Sequence, residues 1–125
     1  MEFSKKNLHT SAFQWKQKLL FIRDDMQGLK KRVSGTHYKS GIPNLFERLA
    51  FFNETIAKLE STIDEVEKDI SIFENRLGEM VTYDTTSFDD SFIEKYWILI
   101  SKVGEVEKNH KSMKASIIEY TSELD

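Results

Sequence analysis

The feature that most constrains this chain is a row of apolar residues, from Leu45 to Met80, that recurs at alternating steps of four and three. This spacing keeps the side chains on one narrow face of a helix and is typical of a coiled-coil seam. At a rise of 1.5 Å per residue, the helix would be about 54 Å long. Such a helix needs partners that cover its seam along the whole length. The members of the row are Leu45, Leu49, Phe52, Ile56, Leu59, Ile63, Val66, Ile70, Phe73, Leu77 and Met80.

Two further rows with the same spacing precede and follow it. The first contains Leu8, Ala12, Trp15, Leu19, Ile22, Met26, Leu29 and Val33, and the last contains Phe92, Tyr96, Leu99, Val103, Val106, His110, Met113, Ile117, Tyr120 and Leu124. The rows predict helices over about 7–33, 44–81 and 88–124. Because short loops connect antiparallel neighbours, we expect an all-α fold, an elongated antiparallel three-helix (up-down-up) coiled-coil bundle. At 125 residues, the chain is expected to be a single domain over 1–125.

The charges flanking the rows agree with this arrangement. Lys16 and Arg23 flank the first row on the side where Glu60, Glu67 and Glu74 flank the second. In an antiparallel helix pair these two flanks meet, so ion pairs are expected between them.

The distribution of charge along the chain bears on possible partners. Residues 1–34 carry a balance of +5, whereas residues 35–82 and 83–125 carry -4 each. A basic first helix could bind an acidic partner. Attraction between the helices themselves is the favoured interpretation, and with a net charge of -3 we expect no binding to nucleic acid.

Several classes of protein are disfavoured by what the sequence lacks. There is no cysteine, which excludes disulfides, thiolate metal sites and a cysteine nucleophile. The longest apolar run, Tyr96–Ile100, is too short to cross a bilayer, and no signal peptide is recognisable. No phosphate-binding loop or nucleophile elbow is present. We therefore expect a cytoplasmic protein with no membrane partner, no enzymatic activity and no cofactor.

Large apolar residues outside the rows are the best candidates for a functional surface. They are Phe13, Leu20, Phe21, Phe51, Ile72, Trp97, Ile98 and Ile118. One interpretation is that they widen the core, since a three-helix core takes more than two positions per heptad. The favoured one is an exposed patch of the kind that monomers rarely show. This interpretation predicts a non-catalytic protein–protein interaction or structural module. The module would form a homodimer or bind an unknown protein partner, and the contact residues would be Phe13, Leu20, Phe21, Phe51, Trp97 and Ile98.

Three of these residues occupy equivalent positions in a weak internal repeat. A basic residue followed by four apolar residues begins at Lys18, Arg48 and Lys95. Phe21, Phe51 and Ile98 lie outside the seam within these segments, in the same heptad phase.

His110 is the one clearly polar member of the three rows. We expect a core histidine that sets the register of the helices, level with Trp15 and with Leu59 or Ile63, and bonded to a neighbour such as Thr62 or to water. With Glu107 it has the Glu-x-x-His spacing of di-iron bundles, but such a site needs a second motif and further inward carboxylates. A small-ligand- or metal-binding helical bundle around His110 is kept as the alternative function.

Two stretches carry a resemblance to known proteins. Residues Trp15–Asp25 and Glu47–Glu54 resemble small helical proteins of unknown function from Bacteroidota, a resemblance that implies no activity. Trp15 in the first helix and Trp97 in the third are also similar to the tryptophans of spectrin-type repeats. Because Trp97 lies outside its row and the chain holds one unit rather than an array, the second similarity concerns shape only.

Overall fold

The structure is a computed structural model that describes residues 3–35, 42–80 and 88–124. The described residues form three helices and no strand. The helices are α1 (Lys5–Ser34), α2 (Leu45–Glu79) and α3 (Asp90–Glu123). Each helix packs against the other two. The bounds expected from the sequence differ from these by one or two residues at each end.

Side-chain caps define where two of the helices begin. The Ser4 hydroxyl accepts a hydrogen bond from the Asn7 backbone N–H at 3.1 Å, and α1 starts at the next residue. The Asp89 carboxylate accepts one from the Phe92 N–H at 2.8 Å at the start of α3. Such caps satisfy N–H groups that lack a partner within the helix. Before α2, Asn44 instead takes a left-handed conformation with φ 58°, and its side chain forms no cap.

The seam residues predicted from the sequence form the core. All of the first row is buried, and so are the second row up to Leu77 and the third row apart from Tyr120. Met80 and Tyr120 are only partly buried. Near the end of α3 the buried face shifts by one residue, because Thr121 is buried and accepts a hydrogen bond from Arg32 Nε at 2.5 Å.

Aromatic rings fill the core where α3 begins. Phe73 of α2 stacks on Phe92 of α3, with ring centroids 4.6 Å apart. The Trp15 ring of α1 lies 5.4 Å from Tyr96 and 5.8 Å from Phe73. All three helices therefore contribute to one aromatic cluster.

Ion pairs expected between α1 and α2 are present at Lys16–Glu74 and Arg23–Glu67. Glu60 pairs with Lys30, which was not among the expected residues. Residue numbers therefore rise along one helix as they fall along the other. Hydrogen bonds to Glu67 and Asp64 raise the pKa of the Arg23 guanidinium above its ordinary value. These pairs are partly exposed, and surface pairs contribute only about 0–1 kcal/mol each. Charged residues that flank a helix seam also favour one register over its neighbours.

Contacts of α3 have a different order on its two sides. Toward α1, residue numbers rise together through Ser11–Tyr96, Lys18–Glu107 and Arg32–Thr121. Toward α2, they run oppositely through Phe73–Phe92, Asp69–Lys102 and Phe52–Tyr120.

Among the helices described, none has the combination of length and apolar character needed to cross a membrane.

Candidate functional site

A polar cluster of Asp25, His110 and Lys114 lies between α1 and α3. His110 is buried at a seam position, and its Nε2 donates to Asp25 Oδ2 at 2.7 Å. Lys114, one turn further along α3, places its Nζ 3.2 Å from Oδ1 and 3.1 Å from Oδ2 of the same carboxylate. Asp25 reaches this position from the edge of α1 that faces α3. The buried histidine therefore has a charged partner rather than a neutral one.

Opposing effects act on the pKa of Asp25. Burial, the largest single influence, would raise it. The hydrogen bonds from His110 and Lys114 lower it, and so do the charges of these two residues. The balance holds the pKa of Asp25 below its ordinary value of 3.8, so the carboxylate is ionised at neutral pH.

The partner expected for His110 from the sequence is wrong. Thr62 donates its hydroxyl to the Lys58 carbonyl at 3.1 Å, within its own helix. Trp15 is not level with His110 either, because it packs on Tyr96, fourteen residues earlier in α3 and therefore about 21 Å away along the axis. The core position expected for His110 is confirmed.

A cleft of about 560 Å³ lies beside the polar cluster. It is lined by Gln17, Lys18, Phe21, Ile22, Glu107, His110, Lys111 and Lys114. These eight residues include no Ser, Thr or Cys that His110 could activate as a nucleophile. Within the described parts of the chain, no three His, Cys, Asp or Glu side chains are grouped as metal ligands. Because His110 Nε2 is already bonded to Asp25, the cluster has the geometry of a contact that fixes two helices against each other.

The second candidate site is a set of exposed apolar side chains. All eight such residues singled out in the sequence are exposed, and Phe46 joins them, with exposed fractions from 38 % for Ile118 to 68 % for Phe21. The seam residues form the buried core cluster without them. Because each is more than a third exposed, the interpretation that they widen the core has less support than an exposed surface.

Two apolar clefts lie between α2 and α3. The Ile72 cleft, about 260 Å³, is lined by Asp69, Ile72, Phe73, Arg76, Phe92, Lys95, Ile98, Leu99 and Lys102. The Phe51 cleft, about 380 Å³, is lined by Phe51, Phe52, Thr55, Lys58, Leu59, Thr62, Asn109, Ser112, Met113 and Ser116. Exposed apolar residues therefore occur near both ends of the surface shared by these two helices.

Comparison with protein-family models, curated protein sequences and solved structures finds no match.

The six residues predicted to bind a partner do not form one continuous patch. Ile98 lines the Ile72 cleft, Phe51 lines its own, and Phe21 lines the cleft beside His110. The Trp97 ring lies 6.0 Å from Phe3 and 5.2 Å from Tyr96, toward the start of α1. Phe13 and Leu20 are exposed on α1 and line none of these clefts.

Phe46 is the exposed apolar residue that the sequence interpretation missed. It directly follows the seam residue Leu45, so the apolar pair reads as the start of a seam. In the structure Leu45 is buried and Phe46 is 66 % exposed. A strict four-three count starting from Leu45 places Phe46 outside the seam. That count was the sequence signal that could have predicted its exposure.

Proposed function

We propose that this protein is a non-catalytic module that works by associating with protein, in the first place with a second copy of itself. One observation carries the proposal. Phe51, Ile72 and Ile98 are exposed and line apolar clefts between α2 and α3, although the seam residues of the described chain are already buried. Apolar residues gathered on one surface, unlike residues scattered singly, mark interaction sites.

The scaffold we propose is an antiparallel up-down-up three-helix coiled coil. It is supported by the order of contacts, in which residue numbers run oppositely across α1–α2 and α2–α3 and together across α1–α3. The flanking residues that meet are those expected for two antiparallel pairs and one parallel pair of helices. A rigid rod of this kind can present long outer helix faces to a partner.

The surface shared by α2 and α3 is the best supported part of the association surface. It contains Phe51, Ile72 and Ile98, with an apolar cleft at each end. Phe13, Leu20, Phe21 and Trp97 stay predicted partner-binding residues on other faces.

Light scattering during size-exclusion chromatography tests the proposal over a concentration series. We expect the mass to rise from that of one chain, 14.7 kDa, to that of two. The double variant Phe51→Ala/Ile98→Ala should weaken this association while circular dichroism shows unchanged helix content. Phe13→Ala/Leu20→Ala is the comparison on another face, and it should weaken association less because the surface shared by α2 and α3 is the main contact.

Two results would contradict the proposal. A mass of 14.7 kDa at every concentration would exclude self-association. Loss of helicity in the Phe51→Ala/Ile98→Ala variant would show that these side chains support the fold.

The alternative function, a ligand or metal site around His110, has less support because Asp25 already occupies Nε2. The cytoplasmic location and the lack of nucleic-acid, membrane and cofactor binding stay predictions from the sequence.

A further inference from the structure

The outer side of α2 has a second regular row of residues, opposite its seam. We call it the outer row. Its members also recur at alternating steps of three and four, and every one is exposed. They are Phe51, Glu54, Lys58, Ser61, Glu65, Lys68 and Ile72. The row spans 21 residue steps, or about 32 Å along the helix.

The outer row is complementary to itself when it is reversed. Each end is apolar, the centre is Ser61, and an acidic residue on one side of the centre always corresponds to a basic one on the other. In two antiparallel copies of α2 related by a two-fold axis near Ser61, the matching pairs are Phe51 with Ile72, Glu54 with Lys68 and Lys58 with Glu65. The two-fold axis forms each pair twice, as an isologous interface requires.

The complementarity depends on this register. If the second copy of α2 slides along the helix axis by about half a heptad in one direction, Glu54 of one copy lies opposite Glu65 of the other. If it slides by the same distance in the other direction, Lys58 of one copy lies opposite Lys68 of the other. Like charges directly opposite each other are destabilising. One alignment is therefore favoured over both of its neighbours.

The surroundings of the outer row fit the same alignment. Ile72 lines a cleft together with Ile98 of α3, so Phe51 of the second copy would cover both residues. The small side chain of Ser61 at the centre lets the two helix backbones approach closely. Within one chain, Glu54 contacts Lys58 at 3.5 Å in an exposed pair. Pairs of that kind contribute little and can exchange for contacts with the second copy.

The outer side of α3 lacks this property. Its corresponding row, in the same heptad positions, is Ile98, Ser101, Glu105, Lys108, Ser112, Ala115 and Glu119. Reversed about its centre, this row sets Lys108 against Lys108 of the second copy and Ile98 against Glu119. The row on α2, with apolar residues at both ends and opposite charges in between, is therefore the better match to its own reverse.

From this pattern we propose that the protein forms a two-fold symmetric homodimer through the outer row of α2, with the two α2 helices antiparallel and crossing at Ser61. The proposal rests on the self-association proposed above and assigns the surface, the direction and the register. Phe51 and Ile72 anchor the ends of the interface, and the four charged residues select the register.

A charge exchange tests the register. Lys58→Glu sets a glutamate against Glu65 of the second copy at two symmetric places, and Glu65→Lys likewise creates two lysine contacts. Each single variant should weaken the dimer at least tenfold in sedimentation equilibrium. The double variant Lys58→Glu/Glu65→Lys restores opposite charges and should return the Kd to within about threefold of the parent. Lys108→Glu, the same change on α3, is the matched control and should leave the Kd unchanged.

The possible results separate this proposal from the one on which it rests. If the parent protein dimerises but the double variant is no better than the single ones, or Lys108→Glu weakens the dimer equally, the register is wrong while self-association stands. If the parent is monomeric at every concentration, both proposals fail.

A cysteine at the centre of the row gives an independent readout, because the chain has no cysteine of its own. Ser61→Cys should form a disulfide-linked dimer under mild oxidation, since the two-fold axis brings the two positions within bonding reach. Ser101→Cys, exposed on α3, should remain largely unlinked at the same concentration. Equal linking of the two variants would indicate random collision and overturn the assignment.

Discussion

His110 Nε2 on α3 donates to Asp25 Oδ2 on α1 at 2.7 Å, and this contact joins a core position to the charged edge of the neighbouring helix. The bond can form only when Asp25 and His110 lie at the same level along the helix axes. In any other alignment the buried imidazole would lack a partner, at a cost of about 1–3 kcal/mol. The bond therefore selects one axial alignment of α1 against α3, which apolar seams alone specify poorly.

Asp25→Asn should lower the free energy of unfolding by about 1–2 kcal/mol at neutral pH, because His110 and Lys114 lose their ionised partner. The pKa of Asp25 is lower in the folded protein than its ordinary value of 3.8. Its contribution to stability is therefore complete above 3.8 and is lost as the pH falls through the folded-state pKa. Urea denaturation at neutral pH and at about pH 3 should show that the difference between parent and variant shrinks in acid.

Asp24→Asn is the control for this variant, because the neighbouring Asp24 is exposed. It should change stability by less than about 0.5 kcal/mol. Similar losses in both variants would mean that general charge, rather than the contact with His110, explains the effect.

The heptad spacing is enough to predict the core and its flanking ion pairs. It does not predict which residues of different helices lie at the same level along the bundle axis. Seam position gives the direction of a side chain around its helix axis. It carries no information about the axial offset between helices, which is why Trp15 was expected beside His110 and is found beside Tyr96. The partner Asp25 was missed because it lies outside the seam and reaches inward from its edge.

The distribution of the exposed apolar residues has a similar explanation. Phe21, Phe51 and Ile98 share one heptad phase, which the internal repeat makes visible. Residues in this heptad phase face α3 when they lie on α1 or α2, and they face α2 when they lie on α3. Equivalent positions therefore lie in different clefts, and the sequence pattern alone could not show this.

Truncation of a core residue should cost far more than truncation of an exposed one. Ile63 is fully buried, so Ile63→Ala should lower the free energy of unfolding by about 2–5 kcal/mol through lost burial and a cavity. Ile118→Ala removes the same atoms from a side chain that is 38 % exposed and should cost less than half as much. Chemical denaturation at low protein concentration measures both values, and equal losses would contradict the division between core and surface.

The cap of α3 is expected to contribute to stability through one hydrogen bond. Asp89→Ala removes the acceptor of the Phe92 N–H and should cost about 1 kcal/mol. Asp90→Ala, in the first turn, removes only a favourable interaction with the helix dipole and should cost less. If hydrogen exchange at the start of α3 increased equally in the two variants, the cap would not be the cause.

Gly104→Ala should stabilise the protein, because Gly104 lies in the middle of α3 and an added Cβ would have no atom within 4 Å. Alanine is favoured over glycine inside a helix by about 0.8–1 kcal/mol, which corresponds to a rise of about 3 °C in Tm for a chain of this size. Gly35→Ala is the contrast, since Gly35 follows the end of α1 and its Cβ would approach the Lys31 carbonyl oxygen at 3.1 Å. Thermal melts should show little or no gain for Gly35→Ala. Because the proposed dimer uses α2, Gly104→Ala should also leave the Kd unchanged, and a weaker dimer would indicate that the outer side of α3 is in the interface instead.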